Sequence, residues 1–485
     1  MAKIYFCYFD IESGDHPGLH YGLASLIGTL KQEGHQVLLN HLKTEEHFYT
    51  AQEVIKIESP DILALSITSN QLKYVRKFLD ITGLPVKLII AGGVHCTLVK
   101  EAIFDELRQV DAICIGEGEL PLKELCYRIS NNLDYFSTPG FYFRTDAGIV
   151  KNPVPPVQNI DDLPLPDYSL FDYRNLISGY GKIFMMMLGR GCPYKCYYCC
   201  NDTLKQIYQD KQKYVRLPSV QHAVKVIKNN LSLYPDTRKI YICDETFTWN
   251  KKWLTEFSDA YKEQVGLPFV CHARVETIDE RVVESLKKAG CESIYIGVES
   301  GSEWLRENVL NRKHSNTQIK RAFSLIKKQN IATRVFYMVG LPFETKEMIK
   351  STVSLNYELQ PNFGQCSFFY PFPGTPIYKI CEENDLLKDA DELETVSSFF
   401  KEPSLKEVSV SNKDVQKYRE LILTYFYFRL LFSRLGLPFF WKNIAPFFLY
   451  ILRRPVFLFI NPNTDNRILV GIRKILGNIA HRYLK

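Results

Sequence analysis

The stretch Arg190-Gly191-Cys192-Pro193-Tyr194-Lys195-Cys196-Tyr197-Tyr198-Cys199-Cys200 decides how this 485-residue sequence is interpreted. It places Cys192, Cys196 and Cys199 in a C-x3-C-x2-C spacing, directly after an apolar run that predicts a short buried strand. Three thiolates on a tight loop suit a 4Fe-4S cluster, and because such a cluster normally takes four, one iron would stay open. The alternatives are a disulfide or a zinc site, but no second Cys or His pair follows at a zinc-ribbon spacing.

This loop resembles the signature of the radical S-adenosylmethionine (SAM) superfamily, which has an aromatic residue before the last cysteine, here Tyr198. The resemblance implies that Cys192, Cys196 and Cys199 bind three irons, while the amino and carboxylate groups of SAM chelate the fourth. One electron would then cleave SAM to methionine and a 5′-deoxyadenosyl radical. Cys200 matches no ligand position, and we expect it to be a buried spectator thiol.

The composition, 46% hydrophobic and 24% charged, is typical of a globular protein with ample core, and the length allows two or three domains. The net charge of +6 is too small to indicate a nucleic-acid partner. Thirteen cysteines, mostly spread singly, do not form a secreted disulfide framework. No signal peptide and no apolar run of membrane-spanning length is recognisable. We therefore expect a cytoplasmic protein.

Residues 1–132 predict a doubly wound, Rossmann-like α/β domain, because continuous apolar runs alternate with helical stretches. The strand-like runs are residues 3–9, 36–42, 62–68, 87–91 and 112–115. Ligands of such sheets bind beyond the carboxyl ends of the strands. Glycines and polar residues follow three of these ends, namely Thr68, Ser69, Gly92, Gly93, His95, Gly116 and Gly118. Ordinary strand–helix turns with helix caps are the alternative.

Together with the cysteine loop, these turns resemble the cobalamin-binding domain that precedes many radical SAM domains. The resemblance makes the seven residues just named candidate cobalamin contacts. The sequence departs from other cobalamin proteins in lacking an Asp-x-His-x-x-Gly motif, since residues 15–18 (Asp-His-Pro-Gly) do not have that spacing. Cobalamin would then be bound without a histidine ligand. A domain that binds no cobalamin is the alternative.

Residues 133–181 are rich in Pro, Asp and Tyr and predict an extended linker. Six strand-like runs alternate with helices over residues 182–390, which fits a partial six-stranded (β/α) barrel of the radical SAM type. Barrel chemistry gathers at the carboxyl ends of the strands. We therefore expect the cluster-bearing face of the barrel to look towards the turns at Gly92 and Gly116.

Polar groups and a glycine turn follow the later barrel strands, and the resemblance makes them candidate SAM contacts beside Tyr198. They are Asp244, Glu245, Arg274, Glu299, Ser300 and Gly340. The pair Asp244-Glu245 stands where the family has a Gly-Gly-Glu turn and would hold the amino group of SAM. Glu299 would accept hydrogen bonds from ribose hydroxyls, and His272 and Arg274 would contact the SAM carboxylate or the substrate. Each also has an ordinary interpretation as a cap or turn.

Residues 391–485 predict a mainly helical, basic and aromatic region, with ten Lys or Arg against one Asp over residues 421–485. Three interpretations are open. The region would touch an anionic membrane peripherally, form a lid over a hydrophobic substrate, or cap the open side of the barrel. We prefer the cap, because many aromatic side chains are needed to close an unfinished core.

The resemblance as a whole is to the cobalamin-dependent radical SAM group, which includes carbon methylases and the anaerobic magnesium-protoporphyrin ester cyclase. It implies an enzyme that methylates an unactivated carbon of a small-molecule or lipid-like substrate, with a low-potential electron donor such as flavodoxin or ferredoxin. One alternative is a radical cyclase or rearrangement enzyme without methyl transfer. Another, of a different class, is a non-catalytic, tetrapyrrole-binding cluster sensor.

Overall fold

The computed structural model describes residues 1–12, 20–80, 84–174, 181–389, 402–407 and 409–434, and side chains of the last helix as far as Phe426. The residues 15–18 discussed above lie outside this part of the chain. So does the basic and aromatic tail beyond residue 434, for which membrane contact or a lid was considered.

The first sheet has seven strands in the order β2-β1-β3-β4-β5-β6-β7. Five are parallel and close to the predicted runs: β1 (Lys3–Phe9), β2 (Gln36–Leu42), β3 (Ile62–Ser66), β4 (Leu88–Gly92) and β5 (Ala112–Cys114). All five residues of β3 are buried, because helices cover both faces of this sheet. The helices are α1 (Tyr21–Gln32), α2 (His47–Glu58), α3 (Leu72–Leu79), α4 (Val94–Val99), α5 (Ile103–Glu106) and α6 (Glu119–Ser130).

Two further strands, β6 (Phe141–Thr145) and β7 (Gly148–Lys151), form an antiparallel hairpin on the edge of the sheet at β5. They lie inside the predicted linker, so the sheet continues past residue 132. The later part of that segment packs on α1, where the amide of Asp167 donates to the Ala24 carbonyl at 2.8 Å. A Cβ added at Gly28 would lie 2.3 Å from the Leu165 carbonyl oxygen, so this close approach requires glycine.

The second sheet has six parallel strands in strictly sequential order and forms the predicted open half-barrel. Its strands are β8 (Ile183–Met186), β9 (Lys239–Ile242), β10 (Phe269–Ala273), β11 (Cys291–Glu299), β12 (Ala332–Val339) and β13 (Phe363–Phe368). Burial alternates along β12 because one face packs on helices and the other faces the barrel interior. The helices are α7 (Cys200–Gln206), α8 (Val220–Leu233), α9 (Lys251–Gln264), α10 (Glu280–Ala289), α11 (Asn316–Lys328), α12 (Lys346–Leu359) and α13 (Pro376–Glu383). The predicted fold class is confirmed.

The last described helix, α14 (Asn412–Arg434), packs on α12 and β13 at the end of the half-barrel. The ring centroids of Tyr425 and Tyr357 are 5.0 Å apart, and Arg419 Nε donates to the Cys366 carbonyl at 2.8 Å. This part of the C-terminal region therefore packs on the barrel, as expected of a cap. Within the described ranges, none of the helices has both the length and the apolarity needed to span a bilayer.

Candidate functional site

The cysteine loop follows β8 at the carboxyl end of the half-barrel. Its backbone is tied down on one side, where Arg190 and Arg216 exchange two backbone hydrogen bonds of 2.9 and 3.0 Å. Cys192 and Cys196 are buried and Cys199 is partly exposed. All the cysteines in the described part of the chain are free thiols, so none of them supports the disulfide alternative.

Each of the three predicted ligand thiols has a polar neighbour. Arg274 Nη1 lies 2.8 Å from Cys196 Sγ, Thr246 Oγ1 lies 3.5 Å from Cys192 Sγ, and Asn201 Nδ2 lies 3.6 Å from Cys199 Sγ. Such partners stabilise thiolates, which are the ligands of iron. Among the described residues no three metal-binding side chains converge on one ion. A 4Fe-4S cluster binds each thiolate to a different iron, so the donor set still fits that cluster.

Cys199 and Cys200 interact directly. The Cys200 thiol donates a hydrogen bond to Cys199, which lowers the pKa of Cys199 to about 6. Burial instead raises the pKa of Cys192. The asymmetry favours the thiolate on Cys199 and leaves Cys200 as the donor. Cys200 is partly exposed and not buried as expected, and its spectator role stays a prediction.

Tyr198 and Glu299 both accept hydrogen bonds from the Arg312 guanidinium. The Tyr198 hydroxyl donates to Glu299 Oε1 at 3.0 Å, and Arg312 Nη1 donates to Tyr198 Oη at 2.8 Å and to Glu299 Oε1 at 3.1 Å. Burial raises the pKa of Glu299, and the charge of Arg312 opposes that rise. Glu299 has φ +68° at a register shift in β11, a strained conformation of the kind that clusters at functional sites. Arg312 is not at a strand end, so the sequence analysis missed it.

Asp244 and Glu245 face different directions. The Asp244 carboxylate accepts the backbone N–H groups of Leu188 (2.7 Å) and Gly189 (2.8 Å), and burial raises its pKa to about 7. This differs from the expectation of a SAM contact, because both oxygens fix the turn into the cysteine loop. Nearby protein atoms desolvate the Glu245 carboxylate and raise its pKa. The side chain nevertheless has an exposed surface, because it borders a cavity.

The other predicted SAM contacts, Arg274, Ser300 and Gly340, directly follow the strands β10, β11 and β12. Arg274 is 3.8 Å from the centroid of the Tyr194 ring and forms an ion pair of 2.7 Å with Glu276. Ser300 is fully buried, with its hydroxyl 3.3 Å from that of Thr352. Gly340 has φ +75°, and its N–H donates to Glu344 Oε2 at 2.6 Å. Their roles towards SAM stay predictions.

A cavity of about 330 Å³ lies between the first sheet and the half-barrel. The first domain contributes Gly92, Gly93, Gly116 and Gly118 to its wall, and the barrel contributes Glu245 and residues 189–191 immediately before the first cysteine. The two sets of turns therefore open on one cavity, as expected.

Three predicted cobalamin contacts, Thr68, Ser69 and His95, do not line this cavity. His95 is buried, with Nδ1 3.0 Å from Ser69 Oγ and Nε2 3.1 Å from Glu106 Oε2, so both ring nitrogens are engaged. His20 was not predicted from the sequence, but it lines the cavity and caps α1 by accepting the Leu23 N–H at 3.0 Å. Burial lowers the pKa of His20 to about 4, so this histidine is neutral.

Two family models match the chain: the radical SAM superfamily over residues 186–355 and the B12 binding domain over residues 14–126. An uncharacterized methyltransferase of Pyrococcus horikoshii is 27% identical over 372 residues, which cover 76% of this chain and 79% of that protein. The anaerobic magnesium-protoporphyrin IX monomethyl ester cyclase of Cereibacter sphaeroides is 24% identical over 436 residues, which cover 84% of this chain and 69% of the cyclase.

Among solved structures, the chain is similar to the cobalamin-dependent S-adenosylmethionine radical enzyme OxsB with aqua-cobalamin and S-adenosylmethionine bound. The TM-score is 0.70 at 16% identity, with 99% of this chain and 75% of OxsB covered. At this identity the likeness shows a shared fold.

Proposed function

We propose that this chain, which belongs to the radical SAM superfamily and carries a B12-binding domain ahead of its barrel, methylates an unactivated carbon of a small or hydrophobic substrate. It is an enzyme whose cofactors are a 4Fe-4S cluster, SAM and cobalamin.

The shared cavity is the observation that carries the proposal. Its wall combines the glycine turns at Gly92 and Gly116 with the residues that lead into the cysteine loop. Methyl transfer from cobalamin requires the substrate carbon to lie close to both reactive centres, because catalysis depends on holding reactants in contact geometry. A cavity bounded by both domains supports this arrangement.

In this proposal the cysteine loop would hold three irons through Cys192, Cys196 and Cys199, and Arg274 would stabilise the negative charge on Cys196. Tyr198, Glu299 and Arg312 form a hydrogen-bonded polar group at the cysteine loop, in which Glu299 is the candidate acceptor for ribose hydroxyls. Glu245 borders the cavity and is the candidate partner of the SAM amino group. Gly92, Gly93, Gly116 and Gly118 allow the backbone to approach a corrin closely.

When bound, the cluster with SAM supplies radical chemistry and cobalamin supplies a methyl group, while the protein supplies orientation and excludes water. The reduction requires an external low-potential donor, for which flavodoxin or ferredoxin is the proposed partner. A small-molecule or lipid-like substrate is the corresponding substrate class.

A second candidate function is radical cyclisation without methyl transfer. It is favoured by the similarity to the Cereibacter cyclase, which extends over a larger share of this chain than the similarity to the Pyrococcus methyltransferase. The two functions share SAM cleavage and differ in the fate of the methyl group of SAM.

The test is anaerobic reconstitution of the full chain with iron, sulfide and cobalamin, followed by incubation with methyl-labelled SAM and a strong reductant. We expect 5′-deoxyadenosine to form and the label to appear in the cobalamin fraction. Cys192→Ala, prepared in parallel, should form no 5′-deoxyadenosine. Formation of 5′-deoxyadenosine with no label in either cobalamin or any product would refute methylation and favour the cyclase.

A further inference from the structure

The inner face of the half-barrel is lined by side chains that the helices do not cover. Along β12 the side chains of Val335 and Tyr337 are buried in the core against the helices, whereas Arg334 and Phe336 alternate with them and are partly exposed. Since successive residues of a strand point to opposite faces, Arg334 and Phe336 face the barrel interior.

Aromatic rings from four adjacent strands form a layer on this inner face. The ring of His272 stacks on that of Phe336, with centroids 5.9 Å apart and an interplanar angle of 5°. It also stacks on Tyr241 at 5.4 Å and 11°. Tyr295 meets Phe336 edge to face at 6.0 Å. The layer offers the offset-stacking and edge contacts that planar conjugated molecules make with aromatic side chains.

Arg334 is a cation beside this layer, and none of the described residues is its counter-ion. Its guanidinium lies 5.3 Å from the centroid of Tyr295 and 5.6 Å from that of Phe336, and Nη2 donates to Gln365 Oε1 at 3.1 Å. Within the described residues Nε is buried without a hydrogen-bond partner, and no carboxylate forms an ion pair with this guanidinium.

The two arginines nearer the cysteine loop also have an unpartnered Nε, but unlike Arg334 each forms an ion pair with a carboxylate. Arg274 pairs with Glu276 at 2.7 Å, and Arg312 pairs with Glu299 at 3.1 Å. A planar guanidinium with a free edge matches the geometry of a carboxylate and binds it in a bidentate manner. Of these three described arginines, Arg334 is therefore the one that is left to an external anion.

We infer that the inner face of the half-barrel binds a substrate with a planar conjugated ring system and a carboxylate, with the carboxylate on Arg334 and the rings on the layer of Phe336 and Tyr295. The inference rests on the proposed function and names its substrate class. β12 ends at Val339, five residues after Arg334. At about 3.3 Å a residue, the Arg334 backbone lies about 17 Å below the sheet edge. The substrate would thus extend from Arg334 towards the cysteine loop.

The competing explanation is that Arg334 is structural and its charge is held by the two rings and the Gln365 amide alone. The two explanations differ in whether the inner face selects an anion. Equilibrium dialysis of the full chain against 2-naphthoate and its neutral analogue 2-naphthamide measures that selection. We expect 2-naphthoate to bind about tenfold more tightly, equivalent to about 1.4 kcal/mol.

Arg334→Gln should remove this preference while the affinity for 2-naphthamide stays the same, and Arg334→Lys should keep part of it because the charge remains. Phe336→Leu should weaken both probes alike. Arg281→Gln is the matched control, since Arg281 is an exposed arginine on the outer helix α10 and its loss should change neither affinity. Thermal unfolding and iron content show whether each variant is folded, and the lysine variant carries the test if the glutamine variant is not.

Equal affinities for acid and amide in the wild type would overturn the inference, as would a preference that survives in Arg334→Gln. Failure of both probes to bind at millimolar concentration would overturn it too, because the aromatic layer would then offer no site. None of these outcomes depends on SAM cleavage. A failed methyl transfer with an intact naphthoate preference would therefore refute the proposed function and leave the anion site standing.

Discussion

Arg190, two residues before the first cysteine of the loop, donates from Nη2 to Oε1 of Glu119 at 2.5 Å, and Glu119 is the first residue of α6 in the other domain. Burial alone would raise the pKa of Glu119, but the positive charge of Arg190 holds this pKa below its usual value. Nη1 of Arg190 also donates to Glu117 at 2.9 Å. The cysteine loop is thereby tied to the turn that contains Gly116 and Gly118.

This ion pair fixes the distance between the two candidate cofactor sites. Removing one partner of a buried pair typically costs about 3–5 kcal/mol where a charge is left uncompensated. Arg190 keeps Glu117 as a second partner, so we expect a smaller cost here. Glu119→Gln should therefore loosen the contact between the domains without touching a predicted ligand. We expect the label transferred to cobalamin per 5′-deoxyadenosine formed to fall about tenfold, equivalent to about 1.4 kcal/mol, while the iron content stays unchanged.

Glu124→Gln is the matched control on the same helix, because Glu124 forms an exposed pair with Arg128 four residues later. Such surface pairs contribute about 0.3–0.5 kcal/mol, so the ratio should not change. An unchanged ratio in folded Glu119→Gln would show that the ion pair does not set the relation between the two sites.

The cysteines of the loop should separate into ligands and a spectator. We expect Cys192→Ala, Cys196→Ala and Cys199→Ala each to lose the cluster, because each removes one of three thiolates that bind iron. Cys200→Ala should keep it, since it loses one hydrogen bond to Cys199. The measurement is iron and sulfide content after anaerobic reconstitution. A full cluster in any of the first three variants would contradict the ligand assignment.

The sequence predicted both sheets because their strands carry strong local patterns. Ile62–Ser66 is a continuous apolar run because both faces of its strand are buried, and Ala332–Val339 alternates because one face is buried. Both patterns can be recognised in the sequence alone. The hairpin at Phe141–Thr145 was missed, because its short strands lie in a Pro-rich segment.

The site was predictable only where a residue type with a characteristic chemistry also stands at a characteristic position, such as a shared loop or the end of a strand. The cysteines share one loop, and the glycines at Gly92 and Gly116 follow strands. The direction of a side chain depends on tertiary contacts, so nothing local indicated that Asp244 turns towards the backbone of Leu188. Arg312 and Arg334 lie outside the motif positions, and their importance follows only from which charges surround them.

Gly93 is a cavity glycine that should not tolerate a side chain. It has φ +100°, and an added Cβ would lie 2.8 Å from the carbonyl oxygen of Ile67. Alanine there would strain the backbone by about 1–3 kcal/mol and displace the turn. We expect Gly93→Ala to lower the thermal unfolding midpoint and to weaken cobalamin binding, followed by absorbance during titration.

Gly92→Ala is the matched control, because its added Cβ would make an ordinary contact of 3.6 Å with Cys114. Its unfolding midpoint should stay close to that of the wild type. If the two variants were equally stable and bound cobalamin equally well, the turn at Gly93 would not form the binding surface proposed for it.

Glu344 should make stability fall as the pH rises. Its side chain is buried in the turn after β12, and burial raises its pKa from the ordinary 4.5 to about 8, against the lowering effect of the Gly340 and Leu341 N–H groups. Between these two values the unfolded chain releases the proton and the folded chain keeps it. The folded state is therefore favoured below about pH 4.5 and loses this contribution as the pH approaches 8.

Glu344→Gln removes the titrating group but keeps an oxygen that accepts from Gly340. The stability of this variant should consequently decline less between about pH 5 and 8 than that of the wild type, by up to a few kcal/mol, since one pKa unit corresponds to about 1.36 kcal/mol. Glu347→Gln is the control, because Glu347 is exposed on α12 and should not alter the slope. Thermal unfolding of the cluster-free protein across this range measures the difference. Parallel pH curves for wild type and Glu344→Gln would show that Glu344 does not retain its proton in the folded state.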